Sequence, residues 1–200
     1  MKQIFIFWIL FSVSFSAHSQ GTQQSPATDI EQLSISDCML SPQDWLKEQI
    51  LLVGTLNISK LRDTLMQLRY NLNFPFSTRW ACMLALARMG EKTAIDEVLA
   101  KVSTKKTDDN MIYLFYPDLI YTRQRKIFDF LITRMQDKNG NCFSANPNNP
   151  QKIDCGYRIM ELLAPVISDF PKRTSSYKKS LNKARKWCKK HSHNYRITGV

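Results

Sequence analysis

The chain has 200 residues, 44% of them hydrophobic, and carries 28 Lys and Arg against 17 Asp and Glu for a formal net charge of +11. That length is enough for one domain with a sizeable core. Ten basic residues and no acid lie at 172–200, while residues 20–171 balance at 17 of each sign, so a generally basic protein is excluded in favour of a neutral body with a cationic end.

Residues 1–19 read as a signal peptide. Lys2 is a short positive region, Ile4 to Phe15 is apolar except for Ser12 and Ser14, and Ala17-His18-Ser19 places small residues at a cleavage site. The apolar run falls short of the roughly 20 residues that a spanning helix needs. Cleavage after Ser19 is expected, which makes the protein exported, periplasmic or secreted. No Cys stands at the cleavage point to carry a lipid. Residues 20–36 are polar and read as a flexible lead-in. A helical-repeat domain is expected over 37–171, followed by a basic C-terminal helix and tail over 172–200.

Ser41-Pro42-Gln43-Asp44 has the form of a helix start, with Trp45, Leu46, Ile50, Val53 and Leu56 available for burial before about Asn57. A partner over Ser59 to Asn71 sets Ile58, Leu61, Leu65, Leu68 and Leu72 in one seam, and Pro75 forbids its continuation. Over 77–102, Ser77 is expected to cap a helix that is apolar nearly all round, through Trp80, Cys82, Met83, Leu84 and Leu86. Gly90 offers a left-handed exit, and Ile95, Val98, Leu99 and Val102 form the stripe of the next helix. After a polar break at 103–110, Pro117 is expected to separate a short aromatic helix (Met111–Tyr116) from a longer one (Asp118–Asp137). Asp154 is expected to cap a further helix running to about Asp169 and bent at Pro165, with Ile159, Met160, Leu163, Val166 and Ile167 inward. No strand is predicted. Hairpin starts near 42, 77 and 119 are about 35 to 42 residues apart, a period suited to two-helix repeats.

Arg79, Ala85, Leu86, Gly90, Ala94, Ile95 and Val98 match the pattern R-x5-A-L-x3-G-x3-A-[VI]-x2-L, with Cys82 where a small Ala is common. Over 77–102 the chain thus resembles the HEAT repeats of bacterial proteins. The pairs at 42–71 and 118–169 share the architecture without the motif. The resemblance implies an all-α fold, an α-α superhelix of about three stacked hairpins plus the basic C-terminal helix. It also implies a scaffold or binding surface, and it brings no catalytic residues with it.

Cys142 and Cys155 flank a loop rich in Asn and Pro and are the expected disulfide. Cys82 reads as a buried small hydrophobe, and Cys38 with Cys188 is a second conceivable pair. Catalytic chemistry is thinly represented. Once the signal leaves, only His191 and His193 remain, both in the tail, so no body Ser or Cys has a body histidine beside it in sequence. Glu91, Asp96 and Glu97, and Asp108-Asp109, read as solvated surface ahead of a glycosidase-like pair. Cys188-x2-His191-x-His193 has zinc or copper chemistry, but three ligands in a tail read as an ordinary tail. No cofactor is implied.

Two basic groups are the binding candidates. Tyr121, Arg123, Arg125 and Lys126 could line a partner-binding groove for a carboxylate ligand, bond the preceding loop carbonyls, or stay in water. Lys178, Lys179, Lys183, Arg185, Lys186, Lys189 and Lys190 lie on a helix capped by Ser175 or Ser176, with Tyr177, Leu181, Ala184 and Cys188 (or Trp187) on its apolar side. That helix reads first as the cap of the stack and second as a contact for anionic membrane or polysaccharide. Nucleic acid ranks last for an exported chain. Asn57-Ile58-Ser59 fits the glycosylation pattern without adding information. The expected function is non-catalytic protein binding in the cell envelope, with surface attachment through the cationic helix as the alternative and a carboxylate hydrolase behind both.

Overall fold

The computed structural model describes residues 43–138, 140–143, 151–191 and 194–199. The expected leader, the lead-in, Ser41, Pro42, Cys38 and His193 lie outside the described residues. The fold is mostly helical, with one small two-stranded sheet. In chain order the helices are α1 (Gln43–Leu56), α2 (Arg62–Tyr70), α3 (Phe76–Arg88), α4 (Lys92–Ser103), α5 (Tyr116–Tyr121), α6 (Arg125–Gln136), α7 (Cys155–Leu163) and α8 (Tyr177–His191). A 3-10 turn (Ser59–Leu61) leads into α2, and a π segment (Met111–Phe115) leads into α5.

These helices pair into four two-helix units arranged in two layers. Helices α1, α3, α5 and α7 adjoin in one layer, and α4, α6 and α8 adjoin in the other, where ion pairs join α2 to α4. Within a layer neighbours run the same way. Gln43 accepts from Thr78 at one end of α1 and α3, and Gly54 meets Ala85 near the other. In the second layer Arg62 pairs with Glu91, Arg69 with Glu97 and Lys126 with Asp96. Helix α3 touches α1, α2, α4 and α5, which explains why Trp80 and every residue from Ala81 to Ala87 is buried.

The period is sharper than the hairpin starts suggest. Asn57, Gly90 and Arg123 all have positive φ (53°, 83° and 56°) and stand 33 residues apart. Each turns the chain from the first layer to the second. Counting on from each, the fourth, eighth and twelfth residues are buried in all three units: Leu61, Leu65 and Arg69; Ala94, Val98 and Val102; Ile127, Leu131 and Met135. Gly90 has no Cβ to crowd the left-handed backbone, whereas Asn57 and Arg123 adopt it at a cost.

Several expectations are corrected. Pro117 does not separate two helices. Asp108 caps a helix that widens to the π register just before Pro117 and continues to Tyr121. The wider turn accommodates a residue that has no N–H for the helix and whose ring would crowd the Tyr113 carbonyl. The break falls instead at Thr122–Gln124. Thr122 Oγ1 donates to the Leu119 carbonyl and Arg123 Nη1 to that of Ile120, which closes α5. The expected third hairpin therefore becomes two units, and α8 is the second helix of the fourth unit.

Helix α3 begins at Phe76, with Pro75 before it, so Ser77 is not its cap. Helix α7 stops at Leu163, because Pro165 cannot donate to the next turn. Trp45, Leu56 and Leu72 point outward, at 46%, 52% and 81% exposure, because the first unit has a described neighbour on one side only.

The Cys142–Cys155 disulfide is present, with Cα atoms 4.9 Å apart. Against the expectation of no strand, it closes an antiparallel pair, β1 (Asn141–Phe143) and β2 (Lys152–Asp154), with Cys142 opposite Ile153. Three-residue strands are too short to show a period of two in sequence. Asp154 caps α7 through the Gly156 amide, as expected.

Candidate partner-binding site

The predicted Tyr121 group sits where α1, α3 and α5 end together. Helix C-termini carry partial negative charge and unpaired carbonyls, which arginine and amide side chains can satisfy. Arg88 Nη1 donates to the Tyr121 carbonyl at 2.7 Å and Gln124 Nε2 to the Arg88 carbonyl at 3.2 Å. The Tyr121 hydroxyl donates to the Leu51 carbonyl, and burial pushes the phenol above its ordinary pKa. An added Cβ at Gly54 would overlap that hydroxyl and lie 2.7 Å from Ala85 Cα, so glycine permits the approach.

Burial and the neighbouring Arg88 charge lower the Arg123 pKa. Arg125 donates to the Tyr195 carbonyl at 2.6 Å and lies 3.6 Å over the Tyr195 ring, while Lys126 pairs with Asp96 at 2.6 Å. The four residues are thus engaged within the fold, and of them Arg123, with Arg88 and Gln124, lines a recess of about 230 Å³.

The cationic helix divides in two. Lys178, Lys179, Lys183, Lys186, Lys189 and Lys190 are exposed, as expected for a surface contact. Arg185 is not with them. It faces inward, bonding Asp154 at 2.8 Å and donating to the carbonyls of Met135 and Asp137 at the end of α6. Gly156 makes room for it, since a Cβ there would lie 2.8 Å from Arg185 Nη2. Leu181, Ala184 and Cys188 are buried with it, and burial pushes the Cys188 thiol up to about 12.

The carboxylates of the hydrolase reading have structural partners. Glu91, Asp96 and Glu97 hold the inter-unit ion pairs, and Lys126 keeps the Asp96 carboxyl below its usual range. Asp108 caps the π segment, and Asp109 accepts from the Phe143 amide. The fold does bring a tail histidine to the body. His191 lines a polar cleft of about 440 Å³ with Ser168, Asp169, Trp187, Asn194 and Arg196. Its Nδ1 lies 2.9 Å from the Trp187 carbonyl and its ring stacks on Trp187. No hydrogen bond joins Ser168, Asp169 and His191.

A site missed in the sequence lies at the opposite end of the stack from the left-handed turns. Phe76 and Trp80 stack at 6.0 Å, and Phe115 meets Trp80 edge-on at 6.0 Å. With Val102 and Met111 they line an apolar groove of about 440 Å³ between the second and third units, edged by Lys101, Thr104 and Lys105. Trp80 Nε1 donates to Asp118 Oδ2 at 2.7 Å, which fixes the indole. Burial raises the Asp118 pKa more than this bond and the charge of Lys47 lower it. Phe76 is 51% exposed. In sequence Phe76 reads as part of a helix stop and Trp80 as core. The available signal is an aromatic residue at a helix start followed by another four residues on, which puts both on one face.

No match to this chain emerges from comparison with protein-family models, curated proteins or solved structures.

Proposed function

We propose that this chain is a non-catalytic binding protein of the bacterial cell envelope, which holds a protein partner on a HEAT-like helical-repeat surface. The observation that carries the reading is the open groove of Phe76, Trp80 and Phe115 between two stacked units. Aromatic side chains usually hide their large apolar area, and a recess of them left open at a junction of rigid helices suits a partner's side chains. Export rests on the Lys2 to Ser19 pattern and agrees with a disulfide.

A photoreactive residue in place of Leu114, which is 64% exposed and next in sequence to the groove residue Phe115, tests the reading in the full chain expressed with its leader. A discrete adduct with one envelope protein is expected. Adducts formed only from distant positions on the second layer would remove the groove from the function. Mass spectrometry of the exported product should find Gln20 at its N-terminus.

The six outward lysines of α8 favour a second reading, attachment to anionic head groups. Removing residues 172–200 would also remove buried Leu181, Ala184 and Arg185, so charge reversal at Lys183, Lys186 and Lys190 is the cleaner variant. Retention of the variant on phosphatidylglycerol vesicles at low salt would end that reading.

A further inference from the structure

We infer that the groove takes an acidic, apolar segment of a partner polypeptide, one that seats an aromatic or leucine-sized side chain and places carboxylates against Lys101 and Lys105. The inference rests on the protein-binding reading and adds the partner's chemistry. Apolarity of the floor follows from Trp80, Val102 and Met111, all nearly buried, with Phe76 and Phe115 as walls. The edge supplies the sign. Lys101 Nζ lies 5.9 Å over the Phe76 ring, and neither Lys101 nor Lys105 has an acidic partner among the described residues.

Elsewhere in the second layer three charge pairs join neighbouring units, Arg62 with Glu91, Arg69 with Glu97 and Lys126 with Asp96. At the groove Lys101 and Lys105 share a rim with no acidic partner among the described residues. A partner carboxylate is attracted to that rim, while a basic partner is repelled from it. The desolvated aromatic surface supplies affinity and the lysines select the partner. Phe76 is a usable handle because half of it is exposed and its removal opens no enclosed cavity.

Fluorescence anisotropy of the full chain with labelled peptides tests the inference. The first peptide flanks Phe and Leu with Glu, the second flanks them with Lys, and the third keeps Glu but replaces Phe and Leu by Ala. Saturable binding is expected of the first alone, weakening as salt rises. The double variant Lys101→Glu/Lys105→Glu and the single variant Phe76→Ala should each weaken it about tenfold. Unchanged thermal unfolding of both variants separates this from misfolding. Equal binding of the Lys peptide, unchanged binding by the double variant, or no saturation at millimolar peptide would overturn it. Uptake of sodium laurate in the peptide's place, or a concentration-dependent dimer abolished by Phe76→Ala, would overturn it too, by giving the groove another occupant. A Leu114 adduct that persists undiminished in the double variant would keep the protein-binding reading and sink this one.

Discussion

Between Gln43 and Gln136 three units turn at residues 33 apart and bury corresponding positions, whereas the fourth turn, at Asp169, comes 46 residues after the third. The extra length is taken up before α7, where the chain leaves α6, forms the disulfide-closed strand pair and returns. The first three units hold one another by repeated apolar contacts and by many separate polar links, among them Arg69 to Glu97, Trp80 to Asp118 and Arg88 to the Tyr121 carbonyl. The fourth is clamped by a few specific devices: the disulfide, the Asp154 cap, and Arg185 reaching from α8 to the ends of both α6 and α7. Regular stacking spreads stability over many residues, and an interrupted repeat concentrates it in a few.

The largest expected effect lies in that fourth unit. Arg185→Ala leaves Asp154 without its cationic partner and two helix-end carbonyls without the Arg185 donor, for a loss of about 3 kcal/mol in urea unfolding. Lys186→Ala, one residue away and exposed, should change stability by less than about 0.5 kcal/mol. Equal losses from both would erase the distinction between clamped and exposed cations. Replacing Cys142 and Cys155 together by Ser should cost about 2–3 kcal/mol, since the bridge closes a short loop. A fully reduced wild type should then unfold at the same urea concentration as the double variant.

Smaller effects belong to the repeated turns. Gly90→Ala meets no neighbour within 4 Å, so its cost is the left-handed backbone alone, about 1 kcal/mol. The converse, Asn57→Gly at the same place in the first unit, should gain up to about 0.5 kcal/mol. A loss there would mean that the two turns are not equivalent.

Least in size is a pH effect at Asp118. Its folded-state pKa is raised, so the folded protein holds the proton more readily than the unfolded chain. Ionised Asp118 therefore costs stability above that pKa, and the cost fades as pH falls through it. Asp118→Asn keeps an acceptor for Trp80 and should be slightly the more stable at pH 7, with the difference shrinking towards pH 4. A difference that grows on acidification would reverse the assignment.

How much of this was legible follows from the range of each interaction. The glycine exit at Gly90, the Asp154 cap and the Cys142–Cys155 pair rest on residues close in sequence and stand in the structure, as do Leu61, Leu65 and Leu68 of the predicted seam, though not its exposed end at Leu72. The third turn was hidden because Arg123 occupies a backbone state that usually advertises itself by Gly or Asn, with its side chain folded back onto the Ile120 carbonyl. Pro117 misled in the opposite sense, since a π segment absorbed it. Candidate binding residues fared likewise. Residue type alone does not separate Arg185 from Lys186, because only packing shows which faces Asp154 and which faces solvent.

By itself, then, the order of residues determined that this is a helical protein built from paired segments, with a basic end and one bridged loop. Those properties come from side-chain periodicity, backbone preference and proximity along the chain. Only the tertiary structure decided the number of units, the inward turn of Arg185 and the meeting of Phe76, Trp80 and Phe115 with Lys101 and Lys105. Each depends on helices distant in sequence coming to lie side by side, and no local preference encodes which residues then face one another.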